Sequence, residues 1–290
     1  MKLLIGIFIL GATISFKSMG FFDKLFGKTK TEKSASKNNF KHDEEWEFYF
    51  SNVNDKLASI SLDLGLRKIA PINNKSNLVW VFVKMNNPRE DGLSSQTEFD
   101  KLVEIEDNLV HEISKIYNSI FAGRVTTDGD REFYFYLDNT KNLKETISKI
   151  MEKFPNYQFQ EGTKLDENWS HYFDFLYPLP EQFQKIQNRK VVDQLENGGD
   201  KLIKEREVNH WLYFKTKSDR INFLAKIKNE NFNVVEESFD KTFGEFPYSL
   251  QIKRINKVDL DSVDEYVIYL WKIANQFNGD YDGWETSIEK

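Results

Sequence analysis

Side chains able to do chemistry are few in this chain, and they are scattered. The four histidines, His42, His111, His171 and His210, lie far apart, and no two have the helical or short-loop spacing that grips a metal ion. His111 falls in an amphipathic helical run and reads as a surface or edge residue. His210 stands beside Trp211 at a strand start and reads as a structural imidazole. Asp280, Asp282 and Glu285 could gather a hard cation through their oxygens, but turn chemistry accounts for the same aspartates. Asp128-Gly129-Asp130 carries the same two readings. Arg124 and Arg131 could grip an anion, and ion pairs with neighbouring carboxylates are the simpler role. There is no cysteine, which excludes disulfides, thiolate metal sites and cysteine nucleophiles. No Gly-rich phosphate loop and no serine elbow appears. The chain reads as a non-enzyme, with no cofactor and no metal.

The most ordered run of functional residue types comes last: Asn278-Gly279-Asp280-Tyr281-Asp282-Gly283-Trp284-Glu285-Thr286. Asn-Gly suits a helix stop, because glycine reaches the left-handed conformation that closes the last turn. Asp282-Gly283 reads as a tight turn, with a short final strand from Trp284. The result is a knuckle that fixes one phenol and one indole. Either the aromatics plug a core, or they form a docking surface for another macromolecule.

Charge is uneven along the chain. Residues 1–41 carry eight lysines against Asp23 and Glu32, an excess of six positive charges; the whole chain is −6, which leaves −12 for residues 42–290. An acidic body lacks the Lys and Arg that neutralise phosphates, so no direct nucleic-acid partner is expected. Base stacking on Phe133, Phe135 or Trp211 also lacks the basic, glycine-bearing strand motif of RNA-recognition domains.

Residues 1–20 read in two ways. Met1-Lys2 followed by the apolar run Leu3 to Phe16 resembles a secretory signal, and that run is too short for a stable membrane span, which takes about 20 residues. Alternatively Met19 is the start, and the first eighteen residues are an upstream extension. The protein is then cytoplasmic; on the first reading it is exported. Residues 21–42 are basic and polar and read as a flexible linker.

The elements that must position these residues fall into two domains, 43–179 and 180–290. In the first, Trp46 to Phe50 and Ala58 to Leu66 read as strands, the latter alternating Ile60, Leu62, Leu64 and Leu66. Leu78 to Met85 is apolar nearly throughout, as a central strand is. Ser95 and Glu98 have the spacing of a capping box. A long amphipathic helix comes next, with apolar residues from Phe99 through Ile113, Ile116 and Ile120. Strands 121–127 and 131–137 join through Asp128-Gly129, a hairpin signal. A helix at 143–151 and strands at 157–159 and 171–175 complete the domain. Tyr177-Pro178-Leu179-Pro180 marks the boundary, and Pro180 suits the first turn of a helix that Asn197-Gly198 ends.

The second domain runs strand 209–216, helix 218–230 capped by Ser218, strands 232–238 and 246–254, helix 260–278 with a capping box from Ser262 to Glu265, and strand 284–289. The order βαββαβ predicts a ferredoxin-like sheet with two helices on one face. The fold class is therefore α+β, two domains of antiparallel sheet with helices on one face. A faint repeat is also present: the order strand, helix, strand, strand that begins at 133–136 recurs from the strand at 211–214.

Two stretches resemble known families. Arg89-Glu90-Asp91-Gly92, Glu104 to Leu109, Gly123-Arg124-Val125-Thr126-Thr127 and Arg131 to Tyr136 resemble a bacterial family known only as domain of unknown function 695, over roughly residues 43–178. That resemblance implies no activity. Asn197-Gly198-Gly199-Asp200-Lys201, Arg206-Glu207-Val208-Asn209-His210-Trp211 and Gly279 to Thr286 resemble the regulator of ribonuclease activity B family, over about 188–290. This second resemblance implies a non-catalytic, protein-binding regulator, an inhibitor of ribonuclease E-type RNA turnover. Its partner is a protein, a ribonuclease. The residues that the resemblance singles out for partner binding are Arg206, Glu207, His210, Trp211, Tyr281, Asp282, Trp284 and Glu285. The alternative, resting on residues 1–18, is an envelope or exported binding protein that shares only the fold.

Overall fold

The structure, a computed structural model, describes residues 42–290 and the backbone of Leu4–Gly6, the short strand β1. Apart from that strand, the segment at 1–20 and the basic linker as far as Lys41 lie outside the described residues. The chain forms two compact units that divide between Gln182 and Phe183.

The first unit contains β2 (Trp46–Val53), β3 (Lys56–Asp63), β4 (Asn77–Lys84), α1 (Gln96–Ile116), β5 (Ser119–Thr127), β6 (Asp130–Leu137), α2 (Leu143–Met151) and β7 (Phe159–Leu165). The strands form one antiparallel sheet in the order β2-β3-β5-β6-β4-β7. Asp128 and Gly129 take φ of 48° and 86°, the paired left-handed geometry that matches the twist of a two-residue hairpin. Asn54 and Asp55, at φ 49° and 61°, do the same between β2 and β3.

One face of this sheet packs Val79, Val81, Val83, Phe133 and Phe135 against the helical stripe Leu102, Ile105, Leu109 and Ile113. α1 is shorter than the apolar pattern suggests: it stops at Ile116, and Ile120 already belongs to β5. The expected capping box is also corrected. Ser95 is the N-cap but makes no side-chain cap bond, and the Glu98 carboxylate accepts the Asn86 and Asn87 amides, each at 2.7 Å. Glutamate here ties the helix start to the end of β4.

His171 to Phe175, expected as a strand, is a π-helical turn spanning His171–Leu176. Asp166 explains the difference. Its carboxylate accepts the Ser170 and His171 amides at 2.8 and 3.0 Å and the Tyr136 hydroxyl at 2.7 Å, so the chain curls at this point. Trp169, at φ 55°, then stacks flat on Tyr136 with centroids 3.8 Å apart.

The second unit contains α3 (Pro180–Asn197), whose first turn it shares with the first unit, then β8 (Arg206–Phe214), α4 (Lys217–Ile227), β9 (Asn233–Phe239), β10 (Tyr248–Asn256), α5 (Leu260–Gln276) and β11 (Gly279–Ser287). Its antiparallel sheet runs β1-β11-β8-β10-β9. Two caps differ from expectation. Thr216, not Ser218, caps α4 by accepting the Asp219 amide, and Asp259, not Ser262, caps α5 by accepting the Ser262 amide. In each case the capping side chain lies two or three residues earlier, where the backbone is still extended.

The repeat is present in a different phase from the expected one. β4-α1-β5-β6-α2-β7 has the same element order as β8-α4-β9-β10-α5-β11. The strand orders, β5-β6-β4-β7 and β9-β10-β8-β11, are the same permutation. Topology therefore pairs β4 with β8, where the sequence similarity had paired β6 with β8. The β2–β3 hairpin widens the first sheet beyond this common unit.

Candidate protein-docking face

Alternation along β8 sorts the second unit's sheet into two faces. Val208, His210, Leu212 and Phe214 are fully buried. All but His210 belong to a core with Val191 and Leu195 of α3, Phe223 of α4, and Val263, Val267 and Leu270 of α5. Glu207, Asn209, Trp211 and Tyr213 point to the other face.

β11 cannot follow simple alternation, because residues 281 and 284 would then face opposite sides. A bulge resolves this: Tyr281 sits opposite Leu212 and Gly283 opposite Trp211, leaving Asp282 as the extra residue. The phase shift turns both Tyr281 and Trp284 inward, 3% and 2% exposed. Asp282-Gly283 is thus a bulge inside a continuous strand from Gly279 to Ser287, not a turn before one. Bulges re-aim side chains in this way. At the helix stop, Asn278 takes the left-handed conformation at φ 49°. Gly279 is required for space instead, since a Cβ there would lie 2.5 Å from the Phe214 ring.

The eight partner-binding candidates divide accordingly. Five are buried: Arg206, His210, Tyr281, Asp282 and Trp284. Arg206, 6% exposed, holds Asp200 with both guanidinium nitrogens and donates to the Ser287 carbonyl at 2.9 Å. Burial pushes the Asp200 carboxyl up, but bonds from Arg206 and from the Glu289 and Leu202 amides outweigh it and hold the group below its usual range. Trp284 donates to Asn188 Oδ1 at 3.2 Å, and Asn188 donates to Asp264 at 2.8 Å, which links β11 to α3 and α5. Tyr281 bonds His210 Nδ1 at 2.8 Å. Arg206, His210, Tyr281 and Trp284 are thus buried, and the knuckle's two aromatics pack inward.

Glu207, Trp211 and Glu285 remain accessible on the face away from the helices, whereas Asp282 is as buried as Arg206, at 6% exposed. Glu207 is exposed and pairs with Lys253 at 2.8 Å. Trp211 is half-buried between Asn209 and Tyr213 along β8, and the Tyr213 ring packs on Phe243 at 5.0 Å. Burial, with the like charge of Asp280 behind it, pushes the Asp282 carboxyl up to about 6. Burial also raises Glu285. Burial raises the Tyr213 hydroxyl, with Asp282 and Asp280 adding to the shift. This face is an acidic frame around two aromatics, suited to a basic protein surface.

In the first unit, Arg124 makes the expected ion pair, reaching both Glu106 oxygens at 2.6 and 2.7 Å. Arg131 does not. It is 3% exposed and donates to the Thr126 and Ser94 hydroxyls, and no described group bonds its Nη1. Among the described residues no set of three or more His, Asp or Glu side chains is placed to hold a metal ion. No described helix is long and apolar enough to cross a membrane. The sequence reading missed Phe232, Arg254 and Tyr266, which gather around His210. No local motif marks them, because the strand pairing assembles the group.

No curated protein matches the chain. A solved structure of an unknown protein from Galdieria sulphuraria is 13% identical, with 73% of this chain and 98% of that chain covered, at a TM-score of 0.21. That score is too low to assign a fold. Two family models match in succession: residues 44–177 match the Family of unknown function (DUF695), and residues 185–286, which carry the bulged strand and its acidic face, match Regulator of ribonuclease activity B.

Proposed function

We propose that the protein is a non-catalytic regulator that binds another protein, a ribonuclease E-type enzyme, through the second unit. The observation that carries this reading is the match of residues 185–286 to the regulator of ribonuclease activity B family. The order β11-β8-β10-β9 with the element order βαββαβ supports a ferredoxin-like domain. In such a domain the sheet face away from the helices is available to a partner. Glu207, Trp211 and Glu285 are the docking side chains, and the buried Arg206, His210, Tyr281 and Trp284 hold their strands in register. Glu207 and Glu285 supply charge, and Trp211 supplies a rigid apolar anchor.

The test is an RNA-cleavage assay with a purified ribonuclease E-type enzyme. Added protein slows cleavage in a saturable way, and the double variant Glu207→Lys, Glu285→Lys loses the effect by at least about tenfold while keeping its unfolding midpoint. Unslowed cleavage at excess protein, or full inhibition by the charge-reversed variant, overturns the reading. A cytoplasmic chain beginning at Met19 is the form this function needs. The intact mass of the native protein decides between that form and an exported one cut near Gly20.

A further inference from the structure

The strand arrangement common to the two units has β5 and β7 as its outer strands in the first unit, and β9 and β11 in the second. One outer strand of each unit carries an added strand. In the first, β3 pairs with β5, from Ala58 to Leu62. In the second, β1 pairs with β11, with Leu4 opposite Ser287, Ile5 opposite Thr286 and Gly6 opposite Glu285.

The two edges of the second unit are not equally open. β9 corresponds to β5, and both carry a one-residue bulge against their inner neighbour, at Val235 and at Ala122, which brings Glu236 to the place of Gly123. A Cβ on Gly123 would lie 2.5 Å from the Ser61 carbonyl oxygen of β3, so the strand that covers β5 needs glycine there. Glu236 sets a charged side chain at that approach, a common protection of a sheet edge. β11 has no such guard. Its bulge at Asp282 lies ahead of the stretch that β1 covers, and from Gly283 to Ser287 the strand carries one charge, Glu285.

β1 lies outside both family matches, which span 44–177 and 185–286. Both readings of residues 1–20 remove it, as a cleaved signal or as an extension upstream of Met19. Both cores are built without it. It is also an incomplete match for β11, because Gly6 brings no side chain to the Glu285 carboxylate opposite. A strand with lysine or arginine in that place gains a cross-strand ion pair, while its main chain bonds to the edge whatever its sequence.

We infer that the outer edge of β11, from Gly283 to Ser287, is a binding site for an extended segment of a partner protein. The segment lies antiparallel to β11 with a lysine or arginine opposite Glu285, and β1 fills the site when it is present. That the partner is a ribonuclease rests on the proposed function; the strand site does not.

The test compares the full chain with the chain beginning at Met19, which keeps every residue of both cores. Backbone amide exchange at one or more of Glu285, Thr286 and Ser287 should be at least about tenfold slower in the full chain. The Met19 form is then titrated with two synthetic peptides, Lys2 to Phe8 unchanged and the same peptide with Gly6→Lys, while backbone resonances are followed. Both should give saturable shifts at Gly283 to Ser287, and the lysine peptide should bind about twofold to fivefold tighter. Glu285→Gln should abolish that preference and leave binding of the unchanged peptide as it was. In the full chain both peptides should bind at least about tenfold more weakly, because the tethered β1 competes. No saturable shift at these residues, a shift at β9 in their place, or equal peptide affinity in the two forms each overturns the inference. Self-association of the Met19 form through these residues assigns the edge to a second copy and overturns it as well. None of these readouts contains a ribonuclease, so their failure is separate from failure of the RNA-cleavage assay. If both readings hold, the Met19 form inhibits cleavage more strongly than the full chain.

Discussion

Asp282 shows how one residue type at one bulge position sets a pH dependence. Burial and the neighbouring charge of Asp280 bring its carboxyl up to about 6, against about 3.9 in an unfolded chain. Because the folded value is the higher one, folding favours the protonated form. That stabilisation is complete below about pH 4 and is lost as pH rises through about 6. Asp282→Asn should therefore be more stable than the parent at pH 8, by up to about 3 kcal/mol, and indistinguishable from it near pH 4. Urea denaturation at the two pH values measures this; a variant weaker at pH 8 would mean the carboxylate has a native partner. Trp284 lies at the opposite extreme. Trp284→Ala removes a 2% exposed indole and leaves Asn188 Oδ1 without its donor, so a loss of about 3–5 kcal/mol is expected. Loss of partner capture in that variant would report unfolding of the second unit, not removal of a contact.

At the scale of elements, caps and turns carry the testable differences. Thr216→Ala should cost about 1 kcal/mol, because the hydroxyl satisfies the Asp219 amide at the start of α4. Ser218→Ala, one turn position inside the helix, should change stability by less than about 0.5 kcal/mol. Thermal unfolding of the two single variants separates the observed cap from the one that sequence suggests. The β2–β3 hairpin gives a change of opposite sign. Asp55 sits at φ 61°, so Asp55→Gly should stabilise the first unit by about 0.5–1 kcal/mol. A destabilised variant would show that the Asp55 side chain holds the turn.

For the whole molecule, the two cores have no buried residue in common. One is built on α1, α2 and the first sheet, the other on α3, α4, α5 and the second sheet. Residues 43–179 and 180–290, expressed separately, should each unfold in one cooperative step. Calorimetry of the fragments decides this, and a fragment without a transition would mean its core needs the other unit. Both units arrange six elements in the same strand permutation, yet only the second has the bulged Tyr-Asp-Gly-Trp strand and the acidic face. One architecture here carries two different surfaces, as fold-level likeness allows.

Much that is local was readable from residue order alone. The Asp128-Gly129 hairpin, the stripe from Leu102 to Ile113, the start of α3 at Pro180 and the lack of thiol chemistry each depend on neighbours within one or two turns. Local reading also made Tyr281 and Trp284 docking candidates, and the bulge that turns them inward is visible only against β8. His171 to Phe175 looks like a strand until Asp166 draws its amides into a turn. Arg254, Tyr266 and His210 come from three separate elements, and the pairing of β8 with β10 beneath α5 brings them together. Periodicity determines which residues share a face of an element. Only tertiary packing decides which face is buried and which distant donors meet, because burial and electrostatics act between residues that sequence distance does not relate.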